Sequence, residues 1–118
     1  MSDAHPGLEA ALADFSARCN ADARLVTMNR DWNRTVLVAP ADGAAGPYWI
    51  RTREGQVSWG QGEPEWDLRI EGPAAVLEAV FSGRMTPTEP YDNGDLLVKG
   101  SQEDLLRLDV ITLLLWGE

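Results

Sequence analysis

The chain has 118 residues, 44% of them apolar, which suits one domain around one core. Acids outnumber bases 19 to 10 for a net charge of −9, which argues against nucleic acid and disfavours an anionic membrane surface. One cysteine, Cys19, and one histidine, His5, exclude an internal disulfide framework, a zinc site and a Ser/His/Asp triad.

Leu8, Ala11, Leu12, Phe15 and Cys19 recur at helical spacing and predict a helix from about Pro6 to Asn20, with Pro6 in its first turn. His5 is expected to fray with residues 1–5, and Cys19 to be a small core hydrophobe. Five strand-like stretches follow. Leu25 to Asn29 and Thr35 to Ala39 are joined through Arg30-Asp31-Trp32-Asn33. Tyr48 to Arg53 comes after a Gly/Ala/Pro loop, and Glu54-Gly55-Gln56 turns it back into Val57 to Gly60. Glu65 to Glu71 alternates, with Trp66, Leu68 and Ile70 on a dry face and Glu65, Asp67, Arg69 and Glu71 on a wet one.

Pro73 opens a helix to about Phe81 that is apolar nearly all round, with Glu78 as its one interruption and Gly83 as its C-terminal cap. A Pro-rich turn, Thr86 to Asn93, leads into a sixth strand, Asp95 to Lys99. Ser101 then caps a last helix whose first turn carries Glu103 and Asp104. From Leu105 to Trp116 nine of twelve positions are apolar and spread around the helical wheel. A surface helix is apolar on one stripe only, so this one is expected to cover a ligand, a second subunit or a deep core on a further side.

The catalytic constellations are thin. Gly60-Gln61-Gly62 is too short for a phosphate loop and lacks its Lys. No catalytic residue, metal or cofactor is expected. A carboxylate-only isomerase or hydrolase would need an acid at an apolar position, and Glu78 is the candidate, with the outer side of its helix as the alternative. Five tryptophans serve either as core filler with satisfied N–H groups or as the walls of a cavity.

Three stretches carry a family resemblance: Trp66 to Gly72; Val76 to Pro87, which holds Ser82-Gly83-Arg84-Met85; and Gly94-Asp95-Leu96-Leu97-Val98-Lys99-Gly100. Together with Trp32-x-x-Thr35-Val36 and Tyr48-Trp49-Ile50, they resemble the sterol carrier protein 2 family over about Leu25 to Trp116. The resemblance implies a sheet with helices on one face and an apolar tunnel between them that takes sterols, fatty acyl chains or other lipids. Between Pro87 and Gly94 the chain departs from that pattern: Glu89 and Asp92 replace an apolar turn, and a mouth rimmed by them is expected to repel the phosphates of an acyl-CoA.

The expectation is therefore an α+β domain over residues 1–118, with a five- to six-stranded, mostly antiparallel sheet and helices packed on one face. Its function is to bind, and to transfer or present, a hydrophobic ligand. Ile50, Trp66, Leu68, Leu77, Val80, Phe81, Met85, Leu108, Ile111 and Leu115 are expected to line the tunnel. The alternatives are a non-lipid module that dimerises or docks on a partner enzyme through the last helix, and the carboxylate enzyme above. The lack of an N-terminal secretory pattern and of any apolar run near the ~20 residues of a membrane span leads to a cytoplasmic expectation, without nucleic acid or stable membrane insertion. Nine arginines among ten basic residues, with abundant alanine, suggest a bacterial source.

Overall fold

The computed structural model describes residues 5–41 and 46–117. The first four residues, the middle of the Gly/Ala/Pro loop and Glu118 lie outside the described residues. Helix α1 runs Pro6–Ala21 and buries Leu8, Ala11, Leu12, Phe15, Ser16 and Cys19. Its start is tied down by His5, against the expected fraying. The His5 Nδ1 accepts from the Leu8 N–H at 3.0 Å, and the His5 N–H donates to the Tyr48 hydroxyl at 2.9 Å.

Leu25 to Asn29, expected as a strand, is instead the end of helix α2, Ala23–Met28. The reason is Asp22. Its N–H closes α1 on the Cys19 carbonyl, while its carboxylate accepts from the Arg24 N–H at 2.9 Å and so caps α2. A cap outweighs the weak strand preference of Val26 and Thr27. The strands are β1 Thr35–Pro40, β2 Tyr48–Arg53, β3 Gln56–Gln61, β4 Leu68–Gly72 and β5 Leu97–Lys99. They form one sheet in the order β3-β2-β1-β4-β5, so five strands stand where five to six were expected. Three pairings are antiparallel and the central one, β1 with β4, is parallel. The β2–β3 hairpin turns on Glu54 and Gly55, both at positive φ, the twist-matched two-residue geometry.

The register sorts the sheet into two faces. Val36, Val38, Tyr48, Ile50, Leu68 and Ile70 point to the core with Val57 and Val98. Thr35, Trp49, Arg51, Arg53, Arg69 and Lys99 stand on the other face. The open edge at β3 is managed by α1. Asn20 donates from Nδ2 to the Val57 carbonyl at 2.9 Å and accepts the Val57 N–H at 2.7 Å, so its amide acts as a short extra strand.

Helix α3, Ala74–Phe81, packs against α1 and β1. It ends as expected at Gly83, where Gly83 and Arg84 donate back to the Val80 and Ala79 carbonyls at 3.3 and 2.9 Å. Gly83 has φ +82, and a Cβ there would run into the Trp116 ring. The Pro-rich turn contains a short helix, α4, Thr88–Asp92. Its prolines fit because the first turn of a helix has no intrahelical use for their missing N–H groups. Helix α5, Gln102–Trp116, begins at Ser101, whose hydroxyl accepts the Asp104 N–H at 3.1 Å. None of the described helices is long and apolar enough to cross a membrane.

Candidate functional site

The largest apolar assembly lies between the core face of the sheet and the helices. Of the ten residues expected to line a tunnel, seven are buried in one contiguous cluster: Ile50, Leu68, Leu77, Val80, Phe81, Leu108 and Ile111. Met85 and Leu115 pack against it from its half-buried rim, beside Leu114 and Trp116. Phe15 meets Phe81 edge-on at 5.2 Å and Trp116 at 6.3 Å, and the Arg18 guanidinium lies 5.5 Å over the Trp116 ring.

Trp66 stands apart. The β4 ladder starts only at Leu68, so the alternation expected from Glu65 is not imposed on Trp66. Its ring is half-buried in a groove of about 770 Å³ with Thr35, Arg51, Arg53, Glu65 and Asp67.

Polar contacts that the sequence patterns do not reveal hold α5 over the cluster. Trp32 donates from its indole N–H to Asp104 at 2.8 Å, and Arg34 approaches the other oxygen of that carboxylate at 3.3 Å. Arg107 lies 5.4 Å over the Trp32 ring and donates to the Met28 carbonyl and the Asn29 side chain at 3.1 and 3.2 Å. Farther along, Asp109 accepts the Thr88 N–H and hydroxyl, and Arg24 donates to the Leu114 carbonyl at 3.3 Å. The one signal for this network in the sequence is the acidic first turn of α5, which by itself predicts only a favourable interaction with the helix dipole. Asp104 is 7% exposed and does more: it bridges the helix to the start of β1.

The outward side of α5 differs. Leu106, Val110 and Leu113 are 48%, 42% and 49% exposed and follow one another at helical spacing as an apolar stripe. The last helix thus divides its apolar residues between the core and an open face.

The candidate chemical groups are inert or paired. Burial, with the nearby Asp22 charge, pushes the Cys19 thiol up to about 12 from an ordinary 9.0, so it stays protonated and unreactive. Glu78 is half-buried, its carboxylate against Gly7 in the first turn of α1 and Arg84 at 3.4 Å, while the exposed residue of α3 is Ala75. Burial also raises Tyr48, whose hydroxyl accepts from His5 and donates to Glu9 at 2.8 Å. Among the described residues no three His, Cys, Asp or Glu side chains are grouped to hold a metal ion.

Solved structures share this architecture at low identity. A ubiquinone synthesis protein described as UbiJ-SCP2 superposes with a TM-score of 0.73 at 16% identity, covering 91% of this chain and 93% of its own. Palmitated SCP2L2 from Aedes aegypti gives 0.65 at 14%, covering 88% and 92%. The inverting sec-alkylsulfatase Pisa1 from Pseudomonas sp. gives 0.61 at 12%, covering 73% of this chain, which spans only 14% of that enzyme. No curated protein sequence matches significantly. The model of the SCP-2 sterol transfer family, however, matches residues 11–112, and the chain belongs to that family.

Proposed function

We propose that this protein binds a single long-chain hydrophobic ligand between α3, α5 and the core face of the sheet, and that it carries or presents that ligand without chemical turnover. The observation that carries this reading is the composition of the cluster. Leu77, Val80, Phe81, Leu108 and Ile111 meet Ile50 and Leu68 with no charged group among them, and Met85, Leu114, Leu115 and Trp116 form a half-buried apolar rim. A ligand would separate α5 from the sheet and replace side-chain contacts with its own chain, gaining ~25 cal/mol per Å² of apolar surface taken from water. Met85 and the leucines of the rim are the flexible side chains at which such a chain would enter.

The palmitated Aedes neighbour supports an acyl chain as the first probe, and the ubiquinone synthesis neighbour supports an isoprenoid quinone as the second. Titration of purified protein with a fluorescent fatty acid, followed by displacement with palmitate, a sterol and a short-tailed ubiquinone, tests the reading. Saturable binding in the micromolar range, weakened by Leu108→Ala and Ile111→Ala, is expected. Native mass spectrometry of the same preparation identifies any co-purifying adduct.

A second reading rests on the exposed stripe Leu106, Val110 and Leu113, which suits a module that docks on an identical chain or a partner enzyme. Absence of saturable ligand binding together with a dimer in sedimentation velocity would favour it over the first.

A further inference from the structure

The outer face of the sheet carries a polar groove, separate from the apolar cluster on the other face. At one end of this face, β2 contributes Arg51 and Arg53, and the segment entering β4 contributes Glu65, Trp66 and Asp67. With Thr35 as floor they enclose an open groove of about 770 Å³. Two guanidinium groups and two carboxylates therefore share one groove. Elsewhere on this face opposite charges neutralise each other, as Arg69 and Glu71 do at 2.6 Å. In the groove they do not: among the described residues neither Arg51 nor Arg53 forms an ion pair.

Three of the four charged groups bond elsewhere instead. Arg51 donates from Nε to the Thr35 hydroxyl at 3.1 Å and stacks 4.9 Å over the Trp49 ring, which fixes the plane of its guanidinium. Arg53 donates to the Thr52 carbonyl at 3.2 Å. Asp67 is locked to β1 twice, accepting the Thr35 N–H on its carboxylate at 2.8 Å and donating its own N–H to the Thr35 carbonyl at 2.8 Å. The groove therefore carries an anchored guanidinium, Arg51, and an anchored carboxylate, Asp67, with the exposed Arg53 and Glu65 and the Trp66 indole beside them.

We propose that this groove binds a small zwitterion that carries a phosphate and an ammonium group. Guanidinium forks recognise the oxygens of a phosphate, and an ammonium is attracted both to an indole face and to carboxylates. A simple anion would meet Glu65 and Asp67, and a simple cation would meet the two arginines. Only a ligand with both charges satisfies both pairs. Phosphoethanolamine has this chemistry, either free or as the headgroup of a phospholipid, and a zwitterionic surface is the kind that a chain of net charge −9 can approach without long-range repulsion.

The test follows the Trp66 indole N–H resonance, assigned with Trp66→Phe, during titration with O-phosphoethanolamine, inorganic phosphate and ethanolamine in parallel. The zwitterion is expected to shift it saturably, with either half alone about tenfold weaker. Arg51→Gln with Arg53→Gln should abolish the shift. Glu65→Gln, at an exposed position, should weaken it a few-fold. Melting curves check the fold, and Arg51→Lys with Arg53→Lys replaces the glutamine pair if that pair fails to fold. Sedimentation with phosphatidylethanolamine vesicles separates the sources. Arginine-dependent vesicle binding assigns a lipid headgroup, and binding of the soluble zwitterion alone assigns a free metabolite. The proposal is overturned if neither zwitterion source binds, if phosphate alone binds as tightly as phosphoethanolamine, or if binding survives removal of both arginines. Fluorescent fatty acid binding in the core is a separate readout that none of these outcomes moves.

Discussion

Helices α3 and α5 are both apolar on nearly every side in the sequence, and they end in different surroundings. Helix α3 lies against α1 and β1, so Leu77, Val80 and Phe81 are at most 1% exposed, Glu78 is half-buried against the start of α1, and the outward position falls to Ala75. Helix α5 packs with α1 and α4, is bonded to α2 through Arg24 and Arg107, and buries Leu105, Leu108 and Ile111, while Leu106, Val110 and Leu113 remain open. Apolar residues all round a helix therefore do not specify how many of its sides are covered. Coverage depends on which sides the neighbouring elements occupy, which periodicity does not report.

The sharpest way to test this contrast is to remove the largest buried group of each helix. Phe81→Ala deletes a ring in edge-on contact with Phe15 and is expected to cost about 3–5 kcal/mol of unfolding free energy in urea titrations. Leu108→Ala on α5 is expected at the low end of the range for buried leucines, about 2–3 kcal/mol, because α5 leaves Leu106, Val110 and Leu113 open and can settle into the space left. In addition, it should reduce the rise in melting temperature that a saturating fatty acid produces, since a ligand stabilises only the state that binds it. Equal costs for the two helices with an unchanged ligand effect would place Leu108 in a solid core and remove α5 from the binding site.

The polar attachment of α5 comes next in size. Asp104→Ala leaves the buried Trp32 indole N–H without its acceptor and is expected to cost about 1–2 kcal/mol, with a change in near-ultraviolet circular dichroism from Trp32. On the open stripe, Leu113→Gln should alter stability by no more than about 0.5 kcal/mol while weakening any self-association seen in sedimentation.

The smallest effect at neutral pH belongs to Cys19. Its thiol is held up at about 12 when folded and has an ordinary value of 9.0 when unfolded. A raised folded value means the stabilisation is complete below pH 9, then declines as pH rises through about 12, because the unfolded chain ionises first. Labelling with a maleimide at pH 8 should accordingly be slow in native buffer and fast in urea.

Much of the fold was legible because its signals are local. The spacing of Leu8 to Cys19, the Gly83 stop, the Ser101 cap and the alternation of the strands each depend on nearby residues. Other features were not legible, three of them for reasons that the structure makes plain. Val26 and Thr27 favoured a strand, and the cap that overrides them lies at Asp22, just upstream of the stretch. Trp66 fitted an alternation that begins only at Leu68, because Val36 on a distant strand sets where the ladder starts. The attachment of α5 pairs Trp32 and Arg34 with Asp104 across the length of the chain, and no spacing rule connects such positions. Hydrophobicity and family resemblance mark the core residues proposed for the ligand, whereas most of the groove on the outer face is built of charged residues that no spacing rule brings together.

The central pairing of the sheet has a kinetic consequence. Strand β1 finds β2 through a short connection, but its other side waits for β4, where Val36 meets Leu68, and the core closes only when Phe15 reaches Trp116. Contacts so distant along the chain must pay for loop closure before they return any binding energy, and topologies rich in them fold slowly. Topology alone leads one to expect the β2–β3 hairpin early and the parallel seam and α1–α5 contact late, with refolding yield falling as protein concentration rises.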